Sequence, residues 1–339
     1  MQLLIPETLP EATILPTSLP HAPGALSRLS FVIPVYNGSS TIVPLVDAVI
    51  EANPGYPLQV VLVNDCSTDG SADACRSLVP RHPGIVTFVD LARNAGEHNA
   101  VMAGLAYASG DYCVIMDDDF QNPPGEGYRL AAEAVRSRRD IVFSAYSVKR
   151  HHWARNLGSR FVNAMARRLM HLPDGLYLSS FKCLSRFAVD QVLAYRGPFP
   201  YVDGLALRAT RNIGVVTTLH EPTRKDRSGY TVGKLIRLYG TMAVNFSIQP
   251  LRMATIFGFF ISLLGVAGAV SVIAEKFLNP GLPVGWPSLI VAVLLLSGVQ
   301  LLLLGVIGEY LGQMVLTVNG TPQYVVRQVV ESPGAHRGE

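Results

Sequence analysis

The chain has 339 residues, more than one small domain needs, and 49% of them are hydrophobic while only 16% are charged. That charge content is low for a protein wholly in water, where about a quarter is usual. The formal net charge of +3 is too small to point to a nucleic-acid partner. The four cysteines, Cys66, Cys75, Cys113 and Cys183, form no Cys-x-x-Cys pair. This argues against a zinc site and for reduced, buried thiols in a cytoplasmic domain.

Residues 1–27 hold Pro6, Pro10, Pro16, Pro20 and Pro23 and no Lys or Arg. They lack the basic start and apolar core of a signal peptide and are expected to be a flexible tail. Residues 29–34 form an apolar run ending in Pro-Val-Tyr-Asn, which reads as a buried strand entering a loop. A helix is expected over 41–52, with Ile42, Leu45, Val46 and Val49 on one face. A second strand over 58–63 leads into the polar loop Asn64-Asp65-Cys66-Ser67-Thr68-Asp69-Gly70. A helix over 71–78, a strand over 85–90, a small-residue helix over 97–108 and a strand over 112–116 follow. This alternation predicts a parallel α/β sheet with ligands outside the carboxyl ends of its strands. A helix up to Arg138 and strands over 140–144, 180–184 and 214–219 continue the domain. The basic stretch 149–168 has helical spacing in Trp153, Leu157, Phe161 and Met165.

Two later segments differ in kind. Residues 254–274 carry no charge, and residues 288–308 have Gln300 as their strongly polar member. Each is about as long as the ~20 residues needed to cross a bilayer. The distribution of Lys and Arg predicts both ends on the cytoplasmic side. Residues 232–248 mix Leu235, Ile236, Leu238, Met242, Val244 and Phe246 with Lys234 and Arg237, as an interfacial helix would.

The strongest chemical signal is Met116-Asp117-Asp118-Asp119-Phe120-Gln121, three carboxylates directly after an apolar strand. Adjacent carboxylates repel, and a hard cation relieves that repulsion. Mg²⁺ or Mn²⁺ takes oxygen ligands and bridges to substrate phosphates, which suits a diphosphate leaving group. The plain alternative is a solvated acidic loop. Asp65, two strands earlier, suits hydrogen bonds from a base or ribose. In Arg93-Asn94-Ala95-Gly96-Glu97-His98, Gly96 permits a tight turn before a helix N-terminus that can face an anion. His98 reads as a hydrogen-bonding loop residue rather than a general base. Lys149, Arg150 and Arg155 can clamp phosphates. Arg224, Lys225 and Arg227 lie just before the membrane, at the depth of a lipid phosphate.

The strings IPVYNG, VNDCSTDG, NAGEHNAVMAGL and MDDDFQNPP together resemble glycosyltransferase family 2. The strings RSGYTVGKL, NFSIQPLRMATIFG and IGEYLGQMVLTVNGTPQYVVRQVV resemble its polyprenyl-phosphate branch. The resemblance spans residues 29–330. It implies an α/β GT-A catalytic domain with a Rossmann-like, mostly parallel sheet, over residues 28–230. Juxtamembrane amphipathic helices (231–251), a two-helix transmembrane region (252–310) and a cytoplasmic tail (311–339) would follow. It further implies inverting transfer of a sugar from a nucleotide donor, UDP-sugars favoured, to undecaprenyl or another polyprenyl phosphate. The product would serve envelope glycan modification at the bacterial inner membrane.

Carried over by motif, Pro34, Tyr36, Asn37, Asp65, Asn94, Gly96, Asp117, Asp118 and Gln121 would surround the donor. Asp117, Asp119 and Gln121 would hold Mg²⁺ or Mn²⁺. Arg150 and Arg155 would act in catalysis beside Asp117 and Asp119. Arg155, Ser159, Arg224 and Tyr230 would meet the acceptor phosphate. Homotetramers are expected from the same resemblance.

The chain departs from the family pattern at several positions. Glu is frequent where this chain has Gly38, Gly where it has Cys66, and Ala where it has Asp118. Ser179-Ser180-Phe181 replaces a Gly-Asp-Phe/Tyr that would supply a base, and Gly229 replaces a Lys. A phosphate acceptor is already largely anionic at neutral pH, so a base is dispensable. Two other readings share features: a processive polysaccharide synthase, and a non-catalytic membrane adaptor that binds nucleotide sugars. The synthase usually adds Gln-x-x-Arg-Trp, and neither Trp153 nor Trp286 sits in that context. The intact acidic triplet argues against the adaptor.

Overall fold

The computed structural model describes residues 28–146, 178–219, 249–278 and 285–332. The basic stretch with Arg150, Arg155 and Ser159, the cluster with Arg224 and Tyr230, and the expected interfacial helix lie outside these residues. So does the expected N-terminal tail.

Strands form at short apolar runs rich in β-branched residues. β1 (Leu29–Val35), β2 (Leu58–Asn64), β3 (Val86–Leu91) and β4 (Tyr112–Ile115) are nearly wholly buried. A strand covered on both faces loses the in–out alternation of a half-exposed one, as parallel sheets require. Helices α1 (Ile42–Glu51), α2 (Ser71–Arg81), α3 (Glu97–Tyr107) and α4 (Pro124–Arg136) supply the cover. β5 (Ile141–Tyr146), β6 (Lys182–Ser185), α5 (Arg186–Leu193), α6 (Val202–Ala209) and β7 (Ile213–Thr218) complete the first part. Ser185 caps α5 by accepting from the Ala188 N–H at 3.2 Å.

Among the described residues the strands form one eight-stranded sheet in the order β7-β5-β6-β4-β1-β2-β3-β8. β1 pairs parallel with β2 and β4, and β2 with β3. Chain order therefore reverses between β1 and β4, which opens a crevice at their carboxyl ends. β6 is antiparallel to both β4 and β5. It starts where β4 ends, with Lys182 opposite Ile115.

Two core layers flank the sheet. Phe31, Leu62, Phe88 and Tyr128 lie in one, and Val32, Val63, Met102 and Leu105 in the other. α3 is buried through its middle, from Ala100 to Leu105. It sits close to the sheet because Gly104 has no side chain: a Cβ there would lie 2.4 Å from Val32 Cγ1. That close approach sets the height of the α3 N-terminus above the strand ends.

After β7 come two long helices, α7 (Gln249–Leu278) and α8 (Trp286–Val318). Phe259, Leu264, Leu301 and Leu304 are each more than 60% exposed. Apolar surface on this scale calls for an apolar medium or partner. Within α8, Leu296–Val318 is long and apolar enough to cross a membrane, at 23 residues and mean hydropathy 1.8. The expectation of two such segments is met in part. Ala254–Gly268 of α7 is a shorter apolar stretch, so among the described residues α8 alone passes by length and composition. The apolar segment also lies further along the chain than expected, because the helix continues past residue 310 to Val318.

The residues after α8 return to the sheet. β8 (Val326–Glu331) pairs antiparallel with β3, and the Ala92 N–H donates to Val325 O at 2.8 Å. The stretch expected as a cytoplasmic tail thus contributes an edge strand to the catalytic sheet.

Candidate active site

A cavity of about 380 Å³ opens at the carboxyl ends of β1 to β4. Pro34, Val35 and Tyr36 from the end of β1, and Asp65 from the end of β2, form one side. Asn94, Gly96, Glu97 and Ala100 from the β3–α3 corner form another, and Asp117, Asp118 and Asp119 after β4 the third. Of the expected donor residues, Pro34, Tyr36, Asp65, Asn94, Gly96, Asp117 and Asp118 are brought together, and Asp119 joins them.

Each corner has a local cause. Gly96 adopts φ 87°, open to glycine at little cost, and the chain turns there into α3. The Asp65 carboxylate holds this turn. Its Oδ1 accepts from the Ala95 N–H at 2.6 Å and its Oδ2 from the Gly96 N–H at 2.9 Å. Asn94 Nδ2 donates back to Asp65 O at 3.3 Å. Asp65 is therefore a buried clamp on the loop as well as a wall of the cavity. Next to it, Cys66 takes φ 55°. That left-handed backbone explains why a glycine would suit the position.

Two expected donor residues are placed differently. Asn37, at φ 54°, joins two loops: its N–H donates to Ser67 Oγ at 3.1 Å and its Oδ1 accepts from the Thr68 N–H at 2.9 Å. Gln121 is absent from the cavity wall, and its N–H donates to Asp119 Oδ1 at 3.1 Å. Both residues shape the loops that carry the site.

Gly38 lies under the acidic triplet. A Cβ on it would lie 2.1 Å from Asp118 Oδ2. The neighbouring Asp69, held by hydrogen bonds, anchors this loop. Desolvation would raise its carboxyl, but hydrogen bonds from Ser71 and Ser39 prevail and lower it to about 2.

A second cavity of about 320 Å³ adjoins the first and shares Glu97 and Asp117 with it. Ser180, Lys182, Tyr201 and Asp203 line it with His98. Because β6 begins beside the end of β4, Ser180 Oγ reaches Asp117 Oδ2 and donates at 2.7 Å. Lys182 forms a buried ion pair with Asp203 and also donates to Ser179 O at 3.2 Å. The His98 and Tyr201 rings meet edge-on, with centroids 5.0 Å apart.

The protein environment shifts two groups here. Glu97 opens onto the cleft between the two cavities, and the enclosing walls raise its carboxyl to about 7. Asp117 and Asp203 add to the rise and Lys182 opposes it. Burial holds the His98 imidazole below its usual range, against the pull of Asp203.

Among the described residues no group of three or more His, Cys, Asp or Glu forms a ready metal cage. This donor set still fits a hard cation. Mg²⁺ usually takes one or two carboxylates and completes its shell with water and substrate phosphates. Asp117 and Asp119 on one cavity wall supply oxygen donors of that kind.

The fold is GT-A, a mixed and mostly parallel sheet with its cleft at the β1–β4 crevice. The profile of glycosyl transferase family 2 matches residues 30–193. The undecaprenyl-phosphate 4-deoxy-4-formamido-L-arabinose transferase of Serratia proteamaculans is 30% identical over 315 residues, covering 92% of this chain and 96% of that protein. The protein of the same name from Edwardsiella ictaluri is 31% identical over 312 residues, covering 90% and 94%. In fold, the chain is similar to glucosyl-3-phosphoglycerate synthase from Mycobacterium tuberculosis, with a TM-score of 0.50 and 19% identity over 65% of this chain and 80% of that one. The chain belongs to glycosyl transferase family 2.

Proposed function

We propose that the chain is a polyprenyl-phosphate glycosyltransferase. It transfers a sugar, with inversion, from a nucleoside diphosphate donor to undecaprenyl or another polyprenyl phosphate. UDP-sugars are the favoured donors. The reaction takes place at the cytoplasmic face of the bacterial inner membrane and serves lipid A, O-antigen or other envelope glycan modification. The observation that carries this reading is the convergence of Asp65, Asn94, Gly96, Asp117 and Asp119 on one cavity, in a chain with a long exposed apolar helix. Relatives that align with nine-tenths of the chain are named undecaprenyl-phosphate transferases, which supports the choice of acceptor.

Each residue has a role on this reading. Pro34, Tyr36 and Asp65 bound the nucleoside. The amides at the start of α3 face the diphosphate, where a helix N-terminus favours negative charge. Asp117 and Asp119 would hold Mg²⁺ or Mn²⁺, which when bound would supply positive charge to offset that of the leaving diphosphate. Ser180 fixes the orientation of Asp117 through its hydrogen bond and leaves no carboxylate at its own position.

The acceptor phosphate needs no base, since its second pKa is about 6. One of its oxygens attacks the anomeric carbon from the side opposite the diphosphate. The bond from that carbon to the diphosphate oxygen breaks, and its electrons leave with the nucleoside diphosphate. The chain then contributes alignment of the two reactants and charge stabilisation. Arg150, Arg155, Ser159, Arg224 and Tyr230 are assigned to the acceptor phosphate, and the exposed faces of α7 and α8 to assembly as a homotetramer.

The test is a donor screen. Purified protein in mild detergent receives undecaprenyl phosphate, Mn²⁺ or Mg²⁺, and a panel of UDP- and GDP-sugars. Release of nucleoside diphosphate that requires both lipid and metal is the expected result. Donor binding without release under every condition would overturn the reading in favour of an adaptor. A monomer by mass measurement in the same detergent would overturn the tetramer.

A further inference from the structure

Tyr36, Phe187 and Phe199 are the exposed aromatic side chains among the described residues of the catalytic domain. Tyr36 lines the first cavity. Phe187 follows closely on Ser185, which pairs with Tyr112 at the start of β4. It therefore sits at the amino end of the parallel strands, away from both cavities. Phe199 stands in the loop between α5 and α6, just before Tyr201, a wall of the second cavity. It is 42% exposed although Pro198 and Pro200 on either side of it are buried. The Tyr195 hydroxyl donates to Phe199 O at 3.4 Å. Gly197 packs so close to the same hydroxyl that a Cβ would clash with it. The loop is thus held stiffly, with one apolar ring left in the open.

This loop is tied to the segment that leaves the apolar helix α8. Gln323 Nε2 donates to Tyr195 O at 3.0 Å and to Gly197 O at 2.8 Å. Arg93 Nη2 donates to Pro322 O at 3.2 Å. Gln323 follows soon after Val318, the last residue of the stretch that is long and apolar enough to cross a membrane. A chain of that length reaches about 18 Å at most when fully extended. Here it is far from extended. Gly320 takes φ 62°, its N–H donates to Thr317 O at 3.1 Å, and the Thr321 N–H donates to Leu316 O at 3.1 Å. This pair of bonds is a Schellman turn, which folds the chain back on the helix end. With α8 crossing a bilayer, residues 195–200 are therefore held beside its headgroup layer.

The chemistry of the loop matches that layer. An aromatic ring suits the boundary between headgroups and acyl chains, and a guanidinium beside it suits lipid phosphates. Arg196 is exposed in the same loop as Phe199, and Arg93 is exposed at the tie to Pro322. We propose that residues 195–200 form a membrane-surface contact: Phe199 enters the interfacial layer of the bilayer and Arg196 meets the phosphates of its lipids. The inference rests on the reading of α8 as a membrane-spanning helix. The occupant is the bilayer rather than a second copy of the chain, because the tie to the end of α8 brings that surface to the loop in every molecule. Since Tyr201 follows directly, the contact also holds the lip of the second cavity at the lipid surface.

The experiment reads the surroundings of a fluorescent probe on the full-length protein in vesicles of phosphatidylethanolamine and phosphatidylglycerol. Cys66→Gly removes the partly exposed thiol, while Cys75, Cys113 and Cys183 are buried. The probe is then attached through Phe199→Cys, Phe187→Cys or Leu304→Cys. Leu304 lies inside the apolar stretch of α8 and reports whether that helix is in lipid. The probe at 199 should be quenched about twofold or more by lipids brominated on their acyl chains, as a group roughly 5–10 Å deep would be. The probe at 187 should be quenched by aqueous iodide and not by the lipids, and the probe at 304 should be closed to iodide. Arg196→Cys offers a second exposed site in the loop and should respond to the brominated lipids as 199 does. A probe at 199 open to iodide in the manner of 187 overturns the proposal. One shielded from both quenchers overturns it in favour of a contact with a second copy. A probe at 304 open to iodide overturns the spanning reading of α8 itself, which separates that failure from failure of the contact.

Discussion

The Asp118 carboxylate occupies the space that a side chain at residue 38 would need: Oδ2 lies 2.1 Å from where a Cβ on Gly38 would stand. These are two of the positions at which the sequence departs from the family pattern it resembles, and the two departures meet in space. Gly38→Ala should therefore cost about 1–3 kcal/mol of stability through overpacking. Gly38→Ala with Asp118→Ala should recover most of that loss, measured by chemical denaturation. Costs that simply add would mean the two residues are not coupled.

Asp117 and Asp119 share one cavity wall without being part of either core layer. Asp117→Ala and Asp119→Ala should each reduce turnover by about 10²-fold or more at saturating Mn²⁺, with melting temperature nearly unchanged. Wild-type rates in both variants would remove the metal assignment.

Asp65 has a double role that can be separated by substitution. Asp65→Ala strands the Ala95 and Gly96 N–H groups and should cost about 1–3 kcal/mol of stability. UDP affinity should fall in the same variant, because the turn into α3 loosens. Asp65→Asn keeps one good acceptor and should lie between. An Ala variant of wild-type stability would show that the clamp is not what orders the turn.

Glu97 gives a pH dependence with a definite sign. Its carboxyl rises from 4.5 to about 7 in the folded chain. Between these values the folded chain keeps a proton that the unfolded chain has released. This stabilisation is greatest at low pH and is lost as pH rises through about 7. Without divalent cation, Glu97→Gln should flatten the stability–pH curve over that window. An unchanged slope would mean that Glu97 titrates normally.

What the sequence reveals and what it hides follow from chain distance. β1 to β4 are legible because each is a continuous apolar run, and the acidic triplet because it ends one of them. The second cavity is not legible in this way. Ser180 meets Asp117 only because β6 pairs antiparallel with β4, 63 residues apart at that contact. A signal was present nonetheless: Lys182 stands alone in the apolar run Phe181-Lys182-Cys183-Leu184, and Asp203 between Val202 and Gly204. Lone charges in apolar settings demand partners, and opposite ones can answer each other. β8 was missed for a similar reason, since its partner β3 precedes it by more than two hundred residues.

β8 also changes what it means to cut this protein. The chain leaves the sheet after β7, runs through α7 and α8, and comes back to lie beside β3. Arg93 Nη2 donates to Pro322 O, and Gln323 Nε2 to the carbonyls of Tyr195 and Gly197, so the returning segment is tied to loops beside both cavities. The apolar helices are thus flanked in the chain by strands of the same sheet, β7 before them and β8 after them. A soluble fragment ending before α7 would lack β8 and would bare the backbone edge of β3, inviting strands from other molecules. A water-soluble version is better sought by keeping β8 and joining it to β7 through a polar linker long enough to pass from one edge of the eight-stranded sheet to the other, roughly 34 Å at about 4.8 Å per strand.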